Sequence, residues 1–375
     1  MKIILAPDSF KGTLSSINVC DIIGDVLKEK YPEAEIIKIP IADGGEGTSE
    51  AYLHIFGGEM ITGKAESPLG NVINAGYALL SDKTAVIETA AASGISIEKE
   101  NNALKASTYG TGQLVLDALD RGAERIILGL GGSATTDGGT GFLSALGARI
   151  LKSDGSVIEK GANELAQIEM IELSKLDKRL ESVPLTVLCD VKNPLFGENG
   201  AAFVFAPQKG ANEEQVKKLD KGLRCLAEVT KKTLGKDFSS LPGAGAAGGM
   251  GFAASAFLGA TLQSGIDCIL DAADFEKTSE NADLVITGEG KMDFQSLFGK
   301  APFGVAKRSR AKKTIAVVGV FEADRNEAKK LSIEEIIETN PLHLPFDTIK
   351  NCAEAMLREA AKKITVQHNK YPGFT

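Results

Sequence analysis

Carboxylates, hydroxyls and glycines collect in this 375-residue sequence at the ends of short apolar runs, where an α/β protein holds its ligands. Asp8-Ser9-Phe10-Lys11-Gly12 follows the run 2–6, and its amides, hydroxyl and lysine suit a phosphate or carboxylate near a helix start. The competing reading is that Asp8 and Ser9 only cap a helix. Asp43-Gly44-Gly45-Glu46-Gly47-Thr48 puts two carboxylates in a glycine turn after the run 35–41, although a tight turn plus a helix cap would use the same residues. Cys189-Asp190-Val-Lys-Asn193-Pro194 leaves the run 185–188, and Gly288-Glu289-Gly-Lys-Met-Asp293-Phe294-Gln295 leaves the run 284–287. One acid at a strand end is usually a turn former, whereas several at the ends of neighbouring strands resemble a metal-phosphate site.

The stretch Gly129-Leu-Gly-Gly-Ser-Ala-Thr-Thr-Asp-Gly-Gly-Thr-Gly141 offers six glycines, hydroxyls and one carboxylate, Asp137, but no cation. A Walker A loop needs Gly-Lys-Ser/Thr, so that mechanism is excluded here. Gly129, Gly131 and Ala134 fit the dinucleotide spacing, yet no strand ending in an acid follows some 20 residues later, which tells against a metabolite dehydrogenase. What remains is a backbone nest whose amides and Ser133 hydroxyl wrap phosphates, with the cation supplied by a metal or a distant lysine, or else a structural turn. Gly243-Ala-Gly-Ala-Ala-Gly248-Gly249-Met-Gly251 is a second nest, equally explained by close helix packing. The three histidines (His54, His343, His368) fall away from these stretches, so a Ser-His-Asp triad is disfavoured and a general base should be a carboxylate.

The elements that must position these loops follow from pattern. The run 2–6 closes at Pro7, and Ser15 or Ser16 can cap a helix that places Ile17, Cys20, Ile22, Ile23, Val26 and Leu27 near one face and stops before Pro32. Runs at 35–41, 284–287, 314–320 and 333–338 repeat the grammar, so five strands alternating with helices predict one parallel sheet with ligand loops at its carboxyl ends. The intervening stretch breaks that rhythm. Residues 72–80 and 84–88 read as a hairpin across Ser81-Asp82-Lys83, 149–158 as another around Asp154-Gly155, and 111–121, 212–234 and 252–258 as helices. The predicted organisation is a discontinuous domain of residues 1–64 and 284–375 with a second α/β domain, 65–283, inserted into it.

Composition narrows the function classes. Gly stands at 41 against about 26 expected for an average chain of this length. The excess lies in a few short loops, so ordered glycine loops are the feature to explain. A net charge of −8 argues against a nucleic-acid footprint and supplies no polybasic membrane patch. Five widely spaced cysteines without a CxxC suggest neither a disulfide framework nor a zinc site. The first residues are too short an apolar run for a signal peptide and no 18-residue apolar run exists, so a cytoplasmic protein is expected.

Taken together, Asp8-Ser-Phe-Lys11, Ala42-Asp-Gly-Gly-Glu-Gly-Thr48, Ala85-Val-Ile-Glu-Thr-Ala-Ala-Ala-Ser-Gly94, Gly131-Gly-Ser-Ala-Thr-Thr-Asp-Gly-Gly139, Cys189-Asp-Val-Lys-Asn-Pro-Leu195, Pro207-Gln-Lys-Gly210, the second nest and Thr287-Gly-Glu-Gly290 resemble bacterial glycerate kinase of the first family (type I). The match runs in order from residue 1 to about 320. The resemblance implies ATP- and Mg²⁺-dependent phosphorylation of D-glycerate, the 2-hydroxyl being favoured, on a flavodoxin-like (Rossmann-like) domain with an inserted second α/β domain and a site in the cleft between them. The rival from another class is a non-catalytic binder of a small anion, against which the acid-rich strand ends tell.

On this reading the catalytic candidates are Asp190, Lys11, Asp43 and Asp8, and the substrate-binding candidates are Ser9, Phe10, Asn193, Gly44 and Gly45. Gly131, Gly132, Ser133, Lys209, Gly248, Gly249 and Lys300 are expected at ATP, and Glu289 and Asp293 at the metal. Asp8, Asp43, Asp137, Asp190 and the Glu289 group are the possible bases. Asp190 is preferred, in an apolar setting between Cys189 and Val191, with Asn193-Pro194 orienting substrate.

Overall fold

The computed structural model describes residues 1–293 and 300–366. Phe294 and Gln295, quoted above with the Glu289 stretch, and His368 lie outside the described residues. In chain order the strands are β1 (Lys2–Pro7), β2 (Glu35–Lys38), β3 (Gly58–Glu66), β4 (Val72–Leu80), β5 (Thr84–Glu88), β6 (Arg125–Gly129), β7 (Arg149–Lys152), β8 (Ile168–Glu172), β9 (Leu185–Leu188), β10 (Thr261–Gln263), β11 (Leu284–Met292), β12 (Thr314–Phe321) and β13 (Glu335–Glu338). They divide between two compact units, Met1–Ala42 with Ile266–Thr375, and Asp43–Gly265.

The first unit is built on a parallel sheet of order β13-β12-β11-β1-β2. Numbered within the unit this is 2-1-3-4-5 read from the other edge, the flavodoxin-like order, whose switch point lies between β1 and β11. The central strands read as unbroken apolar runs because helices cover both faces of such a sheet; Ile3, Ile4, Leu5, Val285, Ile286, Val317 and Val318 are all fully buried. The edge strand β2 spans Glu35–Lys38, and beyond it Ile39 N and Ile41 N still donate to Leu5 O and Pro7 O, with Pro40 at the alternate position whose missing N–H would face the open edge. Ser15 caps the helix Ser16–Lys30, accepting from Asn18 N, and the helix buries Val19, Cys20, Ile22, Ile23, Val26 and Leu27 before ending ahead of Pro32.

The second unit holds a six-stranded mixed sheet of order β10-β9-β6-β5-β4-β3. Strands β5, β6, β9 and β10 run parallel, so the loops after β5, β6 and β9 emerge at one edge; β3, β4 and β5 form an antiparallel meander. The helix Tyr109–Asp120 packs on its strands β3, β4 and β5, whereas the longer helix Glu213–Leu234, opened by an Asn212/Gln215 capping box, packs on β8 of the separate β7-β8 pair.

Two sequence expectations need correction. The stretch 149–158 does turn at Asp154-Gly155, where Leu151 bridges Val157, but the ladder partner of β7 is the distant β8. The unit boundary falls at 42/43 and 265/266, not at 64/65 and 283/284. Strand β3 pairs with β4 along nine residues and Ser49 Oγ donates to Val86 O, which ties 43–66 to the second unit. At the other end Arg308 binds Asp271 and Glu276, which ties the helices after Gly265 to the first unit.

Candidate active site

In the first unit, the carboxyl ends of β1 and β11 bring together Asp8, Ser9, Lys11 and Glu289. Asp8 N donates to Gly288 O at 2.9 Å, which clamps the two strand ends, and Asp8 Oδ1 accepts from Ser9 N at 2.6 Å. Ser9 is half-buried and Lys11 exposed. Phe10, expected at the substrate, is 5% exposed and packs into the core with Ile3, Leu5 and Ile286, so it supports the loop from below. Glu289 is 7% exposed on β11, Asp293 follows the strand half-buried, and Lys300 Nζ lies 3.8 Å from Asp293 Oδ1.

The second unit carries a cavity of about 380 Å³ at the ends of β6 and β9. Its polar wall consists of Asp43, Gly131, Gly132, Ser133, Asp190, Gln208 and Lys209, and its apolar wall includes Leu130, Leu188, Val191, Phe205, Ala246 and Ala247. Glycines make the polar wall possible. Gly131 N donates to Gly44 O at 3.0 Å, and a Cβ on Gly131 would meet the Cα of Gly45 at 2.5 Å, so the Asp43 turn and the loop after β6 lie backbone on backbone. Asp43 Oδ1 accepts from Gly45 N, which fixes its own turn. Gly265 closes the same corner; a Cβ there would meet the Asp43 carbonyl carbon at 2.4 Å, and its N–H donates to Asp190 Oδ1 at 3.2 Å.

The cation missing from the glycine loop comes from the short helical turn Pro207–Lys209. Lys209 is 2% exposed and donates from Nζ to Ser133 Oγ at 3.0 Å and Thr135 O at 2.6 Å. Burial pulls its ammonium down to about 7, against the charge of Asp137, which raises it. Asp137 has no place in the cavity wall. It is fully buried; Oδ1 accepts from Gly139 N, and Oδ2 from Thr108 N, Thr108 Oγ1 and Gly141 N. Burial raises its carboxyl above the usual range while these donors pull the other way, and its arrangement is that of a brace for the loop.

Other expectations fall differently. Asp190 emerges exposed once the chain leaves β9, with Val191 also exposed, so the apolar setting foreseen for it is absent. Asn193 spends its amide on Asn199 O and lies outside the cavity wall; its backbone O accepts from Gly245 N, which pins the loop. Gly248 and Gly249 pack against Thr135 and Gly138, and it is the neighbouring Ala246 and Ala247 that line the cavity. His54 lies in the last turn of the helix Thr48–Phe56 and His343 lies exposed in a loop, both outside the cavity wall.

Glu88 was missed. It ends β5 and accepts from Ser49 N at 2.7 Å and Gly47 N at 3.3 Å, capping the helix that the Asp43 turn leads into; burial raises its carboxyl. The signal was present, since Thr84-Ala-Val-Ile-Glu88 is one more apolar run ending in an acid. Cys189, its thiol pushed up to about 11 by burial, is a wall of the cavity and no nucleophile.

Comparison with known proteins places this geometry. A model of the Glycerate kinase family matches residues 3–369. The glycerate kinase of Bacillus subtilis is 44% identical over 366 residues, 96% of each chain, and the glycerate 2-kinase of Escherichia coli is 45% identical over 329 residues, 86% of each. A crystal structure provisionally assigned as glycerate kinase 2 from Salmonella typhimurium superimposes with a TM-score of 0.85 at 40% identity, covering 96% of both chains. The family match and these relatives take in both the parallel sheet of the first unit and the glycine-lined cavity of the second, and the chain belongs to the glycerate kinase family.

Proposed function

We propose that this chain, as a type I member of the family, transfers the γ-phosphoryl group of ATP to the 2-hydroxyl of D-glycerate, giving 2-phosphoglycerate. Family membership makes it an ATP-dependent kinase, a phosphotransferase with an alcohol acceptor. The observation that carries the finer reading is the cavity of the second unit, where a buried amine stands on a glycine loop in one wall with two carboxylates, Asp43 and Asp190. The amides around Gly131 and Gly132, the Ser133 hydroxyl and Lys209 form a cradle for phosphate oxygens. A carboxylate is the base that phosphoryl transfer to an alcohol calls for. Asp190 takes that role because its exposed position lets the proton pass on to water, and the bond from Gly265 N holds its other face.

Ser9 and Lys11 hold the glycerate carboxylate or the moving phosphoryl group. Among the described residues no group of three or more His, Cys, Asp or Glu side chains is placed to hold a metal ion. A Mg²⁺ that travels with ATP needs only one or two carboxylates, the rest of its shell being phosphate and water oxygens, and Glu289 with Asp293 offers such hard donors. Bound there, it would neutralise charge on the phosphates. Among the described residues no helix is long and apolar enough to cross a membrane, and a cytoplasmic site of action fits the charge and cysteine pattern. Coupling the reaction to enolase without phosphoglycerate mutase tests the product. Immediate signal is expected; a signal that appears only after mutase is added would place the phosphate on the 3-hydroxyl.

A further inference from the structure

Lys209 has an unusual position for a cation. Its Nζ makes two hydrogen bonds among the described residues, both to neutral oxygens, the Ser133 hydroxyl and the Thr135 carbonyl. An ammonium has three N–H donors, so one remains for a ligand. The nearest acid by charge is Asp137, whose oxygens are already occupied by four donors; Asp43, Asp190 and Cys189 share the cavity wall. A buried ammonium without a hydrogen-bonded anion is disfavoured, and the neutral amine is the form that such surroundings tolerate.

We propose, building on the assignment of this cavity to the nucleotide, that Lys209 is a proton-coupled receptor for a phosphoryl oxyanion. In the free protein above neutral pH its amine is uncharged. When a phosphate enters, the nitrogen lone pair takes one proton from buffer, no other bond breaks, and the resulting ammonium donates its third N–H to a phosphate oxygen. The loop thus gains its cation only when an anion is there to meet it. The lowering of this group to about 7 by burial agrees with the geometry.

The test is calorimetric titration of the full chain with ADP in the presence of Mg²⁺, in paired buffers of different ionisation enthalpy. Uptake of roughly 0.9 proton per site at pH 8 and about 0.5 at pH 7 is expected, with Kd rising about tenfold between pH 8 and pH 9. Lys209→Met should abolish the uptake and weaken ADP by tenfold or more; Lys209→Arg, charged at every pH, should bind ADP with no proton exchange. A wild-type Kd flat from pH 7 to 9, with no proton exchange, overturns the coupling but leaves the nucleotide in the cavity if Lys209→Met still weakens ADP. If Lys209→Met changes neither affinity nor proton exchange, the nucleotide is elsewhere and both readings fall. Should Lys209→Met not fold, the wild-type buffer pair and Lys209→Arg decide the matter alone.

Discussion

Replacing Asp137 separates a brace from a catalyst. In Asp137→Ala the amides of Thr108, Gly139 and Gly141 lose their acceptor inside a fully buried site, and so does the Thr108 hydroxyl, which must still accept from Phe142 N. Each orphaned buried donor costs about 1–3 kcal/mol. Part of the sum is returned because alanine also removes a carboxylate from a desolvated site, leaving a net loss of about 3–5 kcal/mol. For a unit of this size that corresponds to a fall in melting temperature of roughly 6–20 °C. Asp137→Asn keeps one acceptor but turns an NH₂ toward the other donors, and should cost about 2–3 kcal/mol. Thermal unfolding followed by circular dichroism, alongside steady-state kinetics of the folded variant, gives both numbers. If Asp137→Asn melts with the wild type while kcat falls a hundredfold or more, Asp137 acts on the substrate and the structural argument is wrong.

Asp190→Asn should fold normally, retain ATP binding and lose about 10²–10⁴ in kcat; more than about a tenth of wild-type kcat would remove it as the base. Glu289→Gln should raise the Mg²⁺ or Mg-ATP concentration needed for half-maximal rate with the fold intact, and an unchanged Mg²⁺ dependence would count against its place at the metal. Stability should also carry the mark of Lys209. Burial pulls its ammonium down to about 7 in the folded chain from an ordinary lysine's 10.5, so between these limits the unfolded chain binds more protons and the contribution to stability rises with pH. The gap in melting temperature between wild type and Lys209→Met should therefore shift in favour of the wild type from pH 6 to pH 9, and a constant gap would show that the amine is charged throughout.

Local pattern carried much of the fold, and the reason is visible in which parts it carried. Strands β1, β11 and β12 read directly because a central parallel strand is apolar on both faces, and the helix Glu213–Leu234 read because Asn212 caps a long amphipathic stretch. What depends on distant partners stayed hidden. The pairing of β7 with β8 and the capping of one helix by Glu88 from another strand leave no local period. Asp137 and Asp190 look alike in sequence, each an acid near a glycine-rich or turn-forming stretch, yet one is sealed from water and the other faces it. Phe10 shows the same limit from the apolar side: a phenylalanine in a loop can face a ligand or a core, and only packing decides. The amine of Lys209 was suggested by the family resemblance and by the loop's want of a cation, but its reach across 74 residues to Thr135 is a tertiary fact.

The contact between Gly265 and the Asp43 carbonyl has a consequence for how the chain assembles. These are the last and first residues of the second unit, so its two ends meet at backbone distance. To the five-stranded sheet, an interruption of about 220 residues is then equivalent to a tight turn once the insert has folded. Before that it is a long unclosed loop, and the pairing of β1 with β11, which joins residues about 280 apart, bears its full entropic cost. The inserted unit is thereby expected to fold first and to act as the template that brings the halves of its host together. An excised segment Asp43–Gly265 should fold alone, while the host joined without it should need only a short turn in its place.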